Sequence, residues 1–271
     1  MPAVLNTNVN ALLAQNASTV NSRAMSTAMQ QLSTGSRINS AKDDAAGLGI
    51  AQNMTSQIRG LNQSVRNVND GISMMQTTDG ALVEVSNMLQ RMRELAVQSA
   101  NGTYSDTQRN YLQTEYTALS TQIGRVASDT KWNDLAVLAA SATYTYQAGT
   151  SSGTTIVVSL ASMAAADLVS AAASVSTAAL ATATLAMIDT GIDKVNLNRS
   201  KIGAAMNQMN YAADNMSNIS TNLAASRSSI TDTDYAAAST QLSKAQIVQQ
   251  AATAMLAQAN QQPQSVLSLL K

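Results

Sequence analysis

Residues 48–96 have the sequence LGIAQNMTSQIRGLNQSVRNVNDGISMMQTTDGALVEVSNMLQRMRELA. Apolar side chains recur in it at steps of three and four, the spacing that keeps them on one face of a helix. They are Leu48, Ala51, Met54, Ile58, Leu61, Val65, Val68, Ile72, Met75, Leu82, Val85, Leu89, Met92 and Ala96. Because the stripe keeps its phase across Asp70-Gly71 and Asp79-Gly80, we predict one uninterrupted helix. A helix of that length requires a coiled-coil partner.

The partner is predicted in the second half of the chain. A similar apolar stripe runs from Leu185 to Leu223. Between the two stripes, Ser105 and Gln108 form a capping box for a shorter helix, and β-prone runs at 143–147 and 154–159 flank a Gly-Thr-Ser-Ser-Gly turn. We therefore predict a mainly α fold: an elongated antiparallel coiled coil or helix bundle with one small β-hairpin near 143–159 and with paired N- and C-terminal helices.

The two ends of the chain are amphipathic and nearly uncharged. The first charged side chain is Arg23, and none occurs from Ala245 to Leu270. Large apolar residues define a stripe on each terminal helix, whereas the opposite faces carry Asn, Gln, Ser and Thr. Such faces suit packing against other helices or against copies of the same chain. From the apolar stripes we select the residues expected to form the terminal coiled coil and to mediate polymerisation: Leu5, Val9, Leu12, Val20, Leu32, Leu242, Val248, Met255, Val266 and Leu269.

Local signals place the helix ends. Gly35 is expected to end the first helix, and Ser40 with Asp43 resembles a capping box for the long helix. Thr231, Asp232 and Asp234 offer caps for the last helix. The Ala-rich window 171–188 is interrupted by Ser and Thr, so we interpret it as a packed helix rather than a membrane span.

Composition excludes several classes of function. The chain has 16 basic and 16 acidic residues and neither His nor Cys. Zero net charge provides no basic surface for a nucleic acid. Without His or Cys we predict no enzyme, no catalytic or metal site and no cofactor. The adjacent Asp43 and Asp44 point to different helix faces and are interpreted as helix-start charges. The N-terminus lacks a basic region followed by an apolar run, so a cleavable signal peptide is not expected.

Five blocks resemble bacterial flagellin. Residues 31–39 (QLSTGSRIN) and 41–48 (AKDDAAGL) are similar to its N-terminal signature, and residues 89–101 (LQRMRELAVQSAN) to its next characteristic stretch. Residues 226–235 (SRSSITDTDY) and 254–270 (AMLAQANQQPQSVLSLL) resemble its C-terminal signature. The resemblance covers roughly residues 1–138 and 176–271, in the order that the family has them.

The resemblance implies a structural subunit that polymerises into the extracellular flagellar filament used for swimming. It further implies export in an unfolded state through the flagellar type III apparatus, with an export chaperone, and addition at the tip beneath a filament cap next to hook-junction proteins. By analogy, residues 1–42 and 230–271 form an inner coiled-coil domain, and residues 43–229 form a helical rod outside it. Large outer domains are lacking, since the middle of the chain holds only the hairpin and an Ala-Ser-Thr stretch.

Two further expectations follow from the resemblance. The amide and hydroxyl faces of the terminal helices, Gln249 and Gln258 among them, would line the filament channel, where a wall without fixed charge binds a passing unfolded chain weakly. The residues that an animal innate-immune receptor contacts in the family correspond to Arg91, Leu95 and Glu115. The alternative interpretation is that these three residues serve packing between subunits.

Two other functions remain open at this point. A flagellar hook-filament junction protein shares the terminal signatures but should not form long filaments alone. A chemoreceptor-like signalling coiled coil would be equally rich in Ala, Gln, Ser and Met, although it should carry a membrane span or a kinase-docking hairpin tip.

Overall fold

A computed structural model describes residues 7–170 and 173–269, the last eight of these by their backbone alone. In chain order its helices and strands are α1 (Val9–Thr34), α2 (Ala45–Ala100), α3 (Asp106–Asp129), β1 (Lys131–Trp132), β2 (Leu135–Ala136), β3 (Ala142–Gln147), β4 (Thr155–Leu160), α4 (Ala165–Leu168), α5 (Ala178–Thr231) and α6 (Tyr235–Leu269). The mainly α class and the hairpin are confirmed. The short β1–β2 pair, an antiparallel ladder of two residues per strand, was not predicted.

The described chain forms two compact units. One, which we call the terminal unit, contains the described residues up to Ser56 and from Asn222 onwards. The other, the central unit, is Gln57–Thr221. Helices α2 and α5 contribute residues to both. The boundaries of these units differ from those of the two domains expected in the filament, which are 1–42 with 230–271, and 43–229.

The long helix α2 is confirmed as a single element of 56 residues, with neither Asp-Gly pair interrupting it. Its apolar stripe is the core of the central unit. Seven of the central unit's α2 stripe residues are inaccessible to solvent: Val68, Met75, Leu82, Val85, Leu89, Met92 and Ala96. The facing stripes of α3 and α5 are equally buried, at Tyr116, Ile123, Ile188, Val195, Ile202 and Met209. The central unit thus buries the apolar faces of three helices within one chain.

Ion pairs show that α5 and α3 both run antiparallel to α2. Arg93 Nε donates to Asp189 Oδ1 at 2.7 Å, whereas Arg199 Nε donates to Asp79 Oδ1 at 2.8 Å. Arg91 Nε likewise reaches Glu115 Oε1 of α3 at 2.8 Å. These carboxylates raise the pKa of Arg91, Arg93 and Arg199 through hydrogen bonds and charge. Because the pairs are solvent-exposed, they specify register more than they stabilise.

Most predicted helix ends are confirmed. Gly35 ends α1 in a left-handed conformation (φ 70°), its N–H donating to Gln31 O at 2.9 Å. Ser105 and Gln108 form the predicted capping box of α3. Asp234 Oδ1 accepts the N–H groups of Ala236 and Ala237 and caps α6.

The predicted capping box of the long helix is wrong. Asp44, not Ser40, caps α2, because Asp44 Oδ1 accepts the N–H of Gly47 at 2.8 Å. Asp43 instead organises the preceding turn: its Oδ2 accepts the hydroxyl and N–H of Ser40 and the N–H of Asn39. These hydrogen bonds lower the pKa of Asp43, and the one from the Ser40 hydroxyl has the largest effect. Both carboxylates therefore have local structural roles.

The helix predicted over 171–188 is wrong at its start, since α5 begins at Ala178; residues 171–172 lie outside the described structure. Polar side chains from other helices hold the segment before α5. Gln113 Oε1 accepts the N–H of Val175 at 2.6 Å, and the Ser99 hydroxyl donates to Val175 O. Thr184 exchanges two hydrogen bonds with the Ser174 backbone. Among the described residues, no helix is long and apolar enough to cross a membrane.

The β3–β4 hairpin packs on α2 over two glycines. A Cβ at Gly71 would lie 2.8 Å from the Tyr146 ring, and one at Gly60 would lie 2.6 Å from Thr150 Cγ2. The Tyr146 hydroxyl donates to Met74 Sδ at 3.2 Å. Burial raises the pKa of Tyr146 to about 12. The absence of side chains at these two positions lets the hairpin approach the helix.

We expect Gly71→Ala to destabilise the protein. The added methyl group must displace a rigid ring, and overpacking of this kind costs about 2 kcal/mol. Gly80→Ala is the matched control, because it lies in the same helix with nothing within 4 Å of its Cβ position. That substitution should stabilise the helix by up to about 1 kcal/mol. Urea unfolding followed by circular dichroism measures both, and a stabilised Gly71→Ala would contradict the close packing.

Candidate functional site

Helices α1 and α6 form an antiparallel pair in the terminal unit. Asn8 Nδ2 donates to Ala259 O at 2.8 Å, and Asn21 Nδ2 donates to Ala245 O at 2.7 Å. From Asn8 to Asn21 the chain advances thirteen residues along α1, while the contacted residue on α6 moves back fourteen, from Ala259 to Ala245. The predicted pairing of the N- and C-terminal helices is confirmed.

The seam of this pair is made of small and polar side chains at a seven-residue spacing. On α1 the inward positions are Ala11, Ala14, Ser18, Asn21, Met25, Ala28 and Leu32, and on α6 they are Ala238, Leu242, Ala245, Gln249, Ala252, Leu256 and Ala259. This is the a/d pattern of a coiled coil. Among the side chains described on the two helices, the fully buried apolar ones are Ala28, Ala238 and Ala245. The seam therefore buries little apolar surface.

Amide side chains add hydrogen bonds across the seam. Asn21 Nδ2 also donates to Gln249 Oε1 at 3.1 Å, and Gln249 Nε2 donates to Ser18 Oγ at 3.0 Å. Sequence reasoning missed Asn8, Ser18 and Asn21. Both ends of the Gln249 amide are engaged by α1, and the place of Gln249 in a channel wall stays a prediction.

The large apolar residues selected from the sequence lie mostly outside the seam. Val9 is 46% exposed, Leu12 53%, Val20 58%, Val248 41% and Met255 65%. Leu32 and Leu242 are half-buried seam positions. Leu5 lies outside the described residues, and Val266 and Leu269 lie in the part of α6 described by its backbone alone. Val9, Leu12 and Val20 therefore lie outside the contact between the two helices of one chain, and their role in polymerisation stays a prediction.

An open groove follows one side of the pair. Its volume is about 730 Å³, and its apolar lining includes Leu13, Val248, Ala252 and Met255. Asn10, Gln258 and Gln261 also line it. Gln258 is thus exposed, in contrast to Gln249. The pair presents an apolar surface that its own chain leaves uncovered in the described structure.

Two linkers join the pair to the long helices through a backbone clasp. Ser36 and Asp232 form an antiparallel bridge, with Arg37 N donating to Thr231 O at 2.7 Å and Thr233 N donating to Gly35 O at 2.9 Å. The Arg37 guanidinium adds two hydrogen bonds to Ile230 O. The Ser228 and Thr231 hydroxyls donate to Asp232 and lower the pKa of that carboxyl. The clasp brings the end of α1 next to the start of α6.

Side chains singled out on α2 and α3 have partners within the central unit. Leu95 is 1% exposed and belongs to the core, whereas Arg91 is paired with Glu94 and Glu115 on the surface. Only Arg91 and Glu115 offer accessible atoms here, and a receptor contact stays a prediction. Tyr116 of α3 is buried in the central unit, and burial raises its pKa to about 12. Tyr111 on the same helix is 72% exposed.

A closed central unit of three helices and a terminal helix pair with an uncovered apolar surface define a mainly helical structural protein. The family profile described as the bacterial flagellin N-terminal helical region matches residues 5–143, and that of the C-terminal helical region matches residues 185–270. The chain belongs to the bacterial flagellin family, and it is a subunit of the flagellar filament.

Individual relatives agree with this assignment. The chain is 41% identical to a flagellin of Halalkalibacterium halodurans over 271 residues, which cover 99% of this chain and 100% of the relative. It is 40% identical to a flagellin of Xenorhabdus nematophila over 313 aligned positions, with both chains covered completely. Among solved structures, Bacillus cereus flagellin is 31% identical with a TM-score of 0.51, covering 56% of this chain and 88% of that one. These findings do not favour a hook-junction protein or a signalling coiled coil.

Proposed function

We propose that the α1–α6 pair is the surface through which this flagellin polymerises, with residues 1–42 and 230–271 as the inner domain of the filament and 43–229 outside it. The observation that carries the proposal is the exposure of Leu12, Val20, Ile247 and Met255, each more than half exposed. Burying each such side chain would contribute about 1.5–3 kcal/mol. Copies of the same chain supply the missing apolar contacts.

The central unit supports the same division of roles. Its three helices bury their stripes within one chain, so it needs no neighbour to complete its core. The terminal pair, by contrast, holds together through alanines and amides and gains most of its apolar burial from other subunits. Assembly is then coupled to the ordering of the two terminal helices.

Export partners follow from the family and from the low charge of the ends. The subunit passes in an unfolded state through the flagellar type III apparatus, with an export chaperone, and is added at the tip beneath the filament cap beside the hook-junction proteins. Residues 245–270 carry no charged side chain, so a channel wall neither attracts nor repels this segment electrostatically. Arg91 and Glu115 remain the accessible candidates for an immune-receptor contact.

Seeded growth tests the polymerisation surface. Full-length protein added to short filament fragments should extend them into long filaments visible by electron microscopy, and removal of residues 236–271 should leave a helical protein that does not extend them. Growth by the shortened protein would contradict the proposed role of α6. Failure of the full-length protein to form long filaments would favour the hook-junction alternative.

A further inference from the structure

Among the described residues, the methionines range from almost completely buried, through four half-buried ones, to exposed. Six are almost completely buried, with exposures of 0–4%: Met74, Met75, Met92, Met163, Met209 and Met216. Three are exposed: Met29 at 52%, Met187 at 37% and Met255 at 65%. Since oxidation of a methionine requires an oxidant to reach its sulfur, the fold ranks these residues by accessibility.

Two of the buried sulfurs are shielded by hydrogen bonds as well. The Tyr146 hydroxyl donates to Met74 Sδ at 3.2 Å, and Asn198 Nδ2 donates to Met163 Sδ at 3.4 Å. Each donor occupies a sulfur lone pair, which is the group that attacks an oxidant. The central unit therefore protects its core methionines by burial, and for these two also by a polar contact.

Met255 is the most exposed of the described methionines and lines the apolar groove beside Leu13 and Val248. We propose that Met255 is the principal site at which hydrogen peroxide oxidises the unassembled subunit, and that its oxidation blocks addition to the filament. This inference rests on the proposed function, because it takes the groove as part of the polymerisation surface.

The reaction consumes one peroxide per methionine. A sulfur lone pair of Met255 attacks one oxygen of hydrogen peroxide, the S–O bond forms, and the O–O bond breaks. The departing hydroxide takes up the proton released by the transferred oxygen and leaves as water. The thioether is oxidised to the sulfoxide and the peroxide is reduced to water.

The sulfoxide changes what the groove can bind. In the free subunit its oxygen is hydrated, so the fold of the protein is not disturbed. At the assembly contact that oxygen must lose water against an apolar neighbour, which opposes association. Subunits already in the filament have the same sulfur covered, so the unassembled subunit is the sensitive state.

The chemical part of the proposal is tested by peptide mass spectrometry of the full-length protein during a peroxide time course. We expect the sulfoxide to form first at Met255, then at Met29 and Met187, and last at the six buried methionines. Oxidation of Met75, Met92 and Met209 at the rate of Met255 would overturn the inference.

The functional part is tested by seeded growth after the same treatment. Peroxide should slow the extension of seeds by the unsubstituted protein about tenfold. Met255→Leu, which keeps an apolar side chain without sulfur, should extend seeds at the same rate with and without peroxide. Met187→Leu, the matched control in the central unit, should remain sensitive. Met255→Gln, which places a polar group at the same position, should grow slowly without any peroxide.

The outcomes separate this inference from the function on which it rests. If untreated protein fails to extend seeds, the proposed function is wrong and the inference with it. If untreated and oxidised protein extend seeds equally, or if Met255→Leu loses growth on oxidation as the unsubstituted protein does, the inference alone is overturned.

Discussion

We expect Val20→Glu to abolish the extension of filament seeds and to leave the thermal unfolding of the protein unchanged. Val20 is 58% exposed and lies outside the α1–α6 seam, so a charged side chain is hydrated there in the free subunit. Assembly would have to bury that carboxylate against apolar neighbours without a partner. A penalty of about 4 kcal/mol, within the range for an unpaired buried charge, raises the critical concentration for growth about a thousandfold.

Two controls accompany this substitution. Val20→Ile keeps the position apolar and should extend seeds normally. Val157→Glu introduces the same charge at a valine with nearly the same exposure, 56%, on β4 of the central unit. Growth is measured by electron microscopy and light scattering, and folding by far-ultraviolet circular dichroism. Equal losses of growth with Val20→Glu and Val157→Glu would contradict the assignment of assembly to the terminal pair.

The central unit could be predicted well from the sequence because its core positions are large and apolar. Most positions of the α2 stripe hold Leu, Ile, Val or Met, so periodicity and burial indicate the same face. The regular stripe outweighed the local preference of Asp-Gly for turns. Gly71 illustrates why, since the buried glycine serves the packing of Tyr146 and does not end the helix.

The terminal seam could not be found in the same way. Most of its positions hold Ala, Ser, Asn or Gln, with four large apolar residues among them: Met25, Leu32, Leu242 and Leu256. Other large apolar residues that define a hydropathy stripe, such as Val9, Leu12 and Val20, face outward. One sequence signal was available: Ala238, Ala245, Ala252 and Ala259 recur at intervals of seven, the period of a coiled coil. A chain that polymerises separates the residues that pair its own helices from those that await another subunit. Hydropathy alone selects the second set.

Side chains that fix irregular segments were also beyond prediction. The segment before α5 is held by Ser99 and Gln113, which are 76 and 62 residues away from Val175 in sequence. Its alanines and serines suit a helix by local preference. Thr177 caps α5 by accepting the N–H of Leu180 at 3.3 Å, and the distant partners hold the preceding residues outside the helix. Arg109 is a similar case: it is buried, whereas a charged residue on a helix is ordinarily assigned to the surface.

We expect Arg109→Met to lower the free energy of unfolding by about 3 kcal/mol. Arg109 is 7% exposed, and its guanidinium donates to Ser99 O at 2.9 Å and to Asn101 O at 3.0 Å. These carbonyls belong to the end of α2, where the helix supplies no N–H partners. Loss of the guanidinium leaves Ser99 O without a donor in a place that water reaches poorly, whereas Asn101 O keeps the N–H of Tyr104 at 3.4 Å. Methionine replaces the apolar length of the side chain and so isolates the hydrogen bonds.

The ion pair with Asp106 contributes little to this effect. Arg109 Nη1 lies 2.9 Å from Asp106 Oδ1, but the Asp106 side chain is 81% exposed and regains water once the partner is removed. Arg109→Lys separates charge from geometry: it keeps the positive charge but cannot present the three donors of the guanidinium in one plane. If hydrogen bonding to the α2 carbonyls determines stability, Arg109→Lys should lose most of what Arg109→Met loses.

Arg125→Met is the matched control for this series. Arg125 lies exposed on the same helix, and its side chain makes no ion pair within residues 7–170 and 173–269. Its replacement should change the unfolding free energy by less than about 0.5 kcal/mol in urea titrations. Similar losses for Arg109→Met and Arg125→Met would mean that the cap on α2 does not stabilise the central unit. A large loss for Arg109→Met alone, with seeded growth retained by the fraction that folds, would place Arg109 in the fold of the subunit and outside its assembly surface.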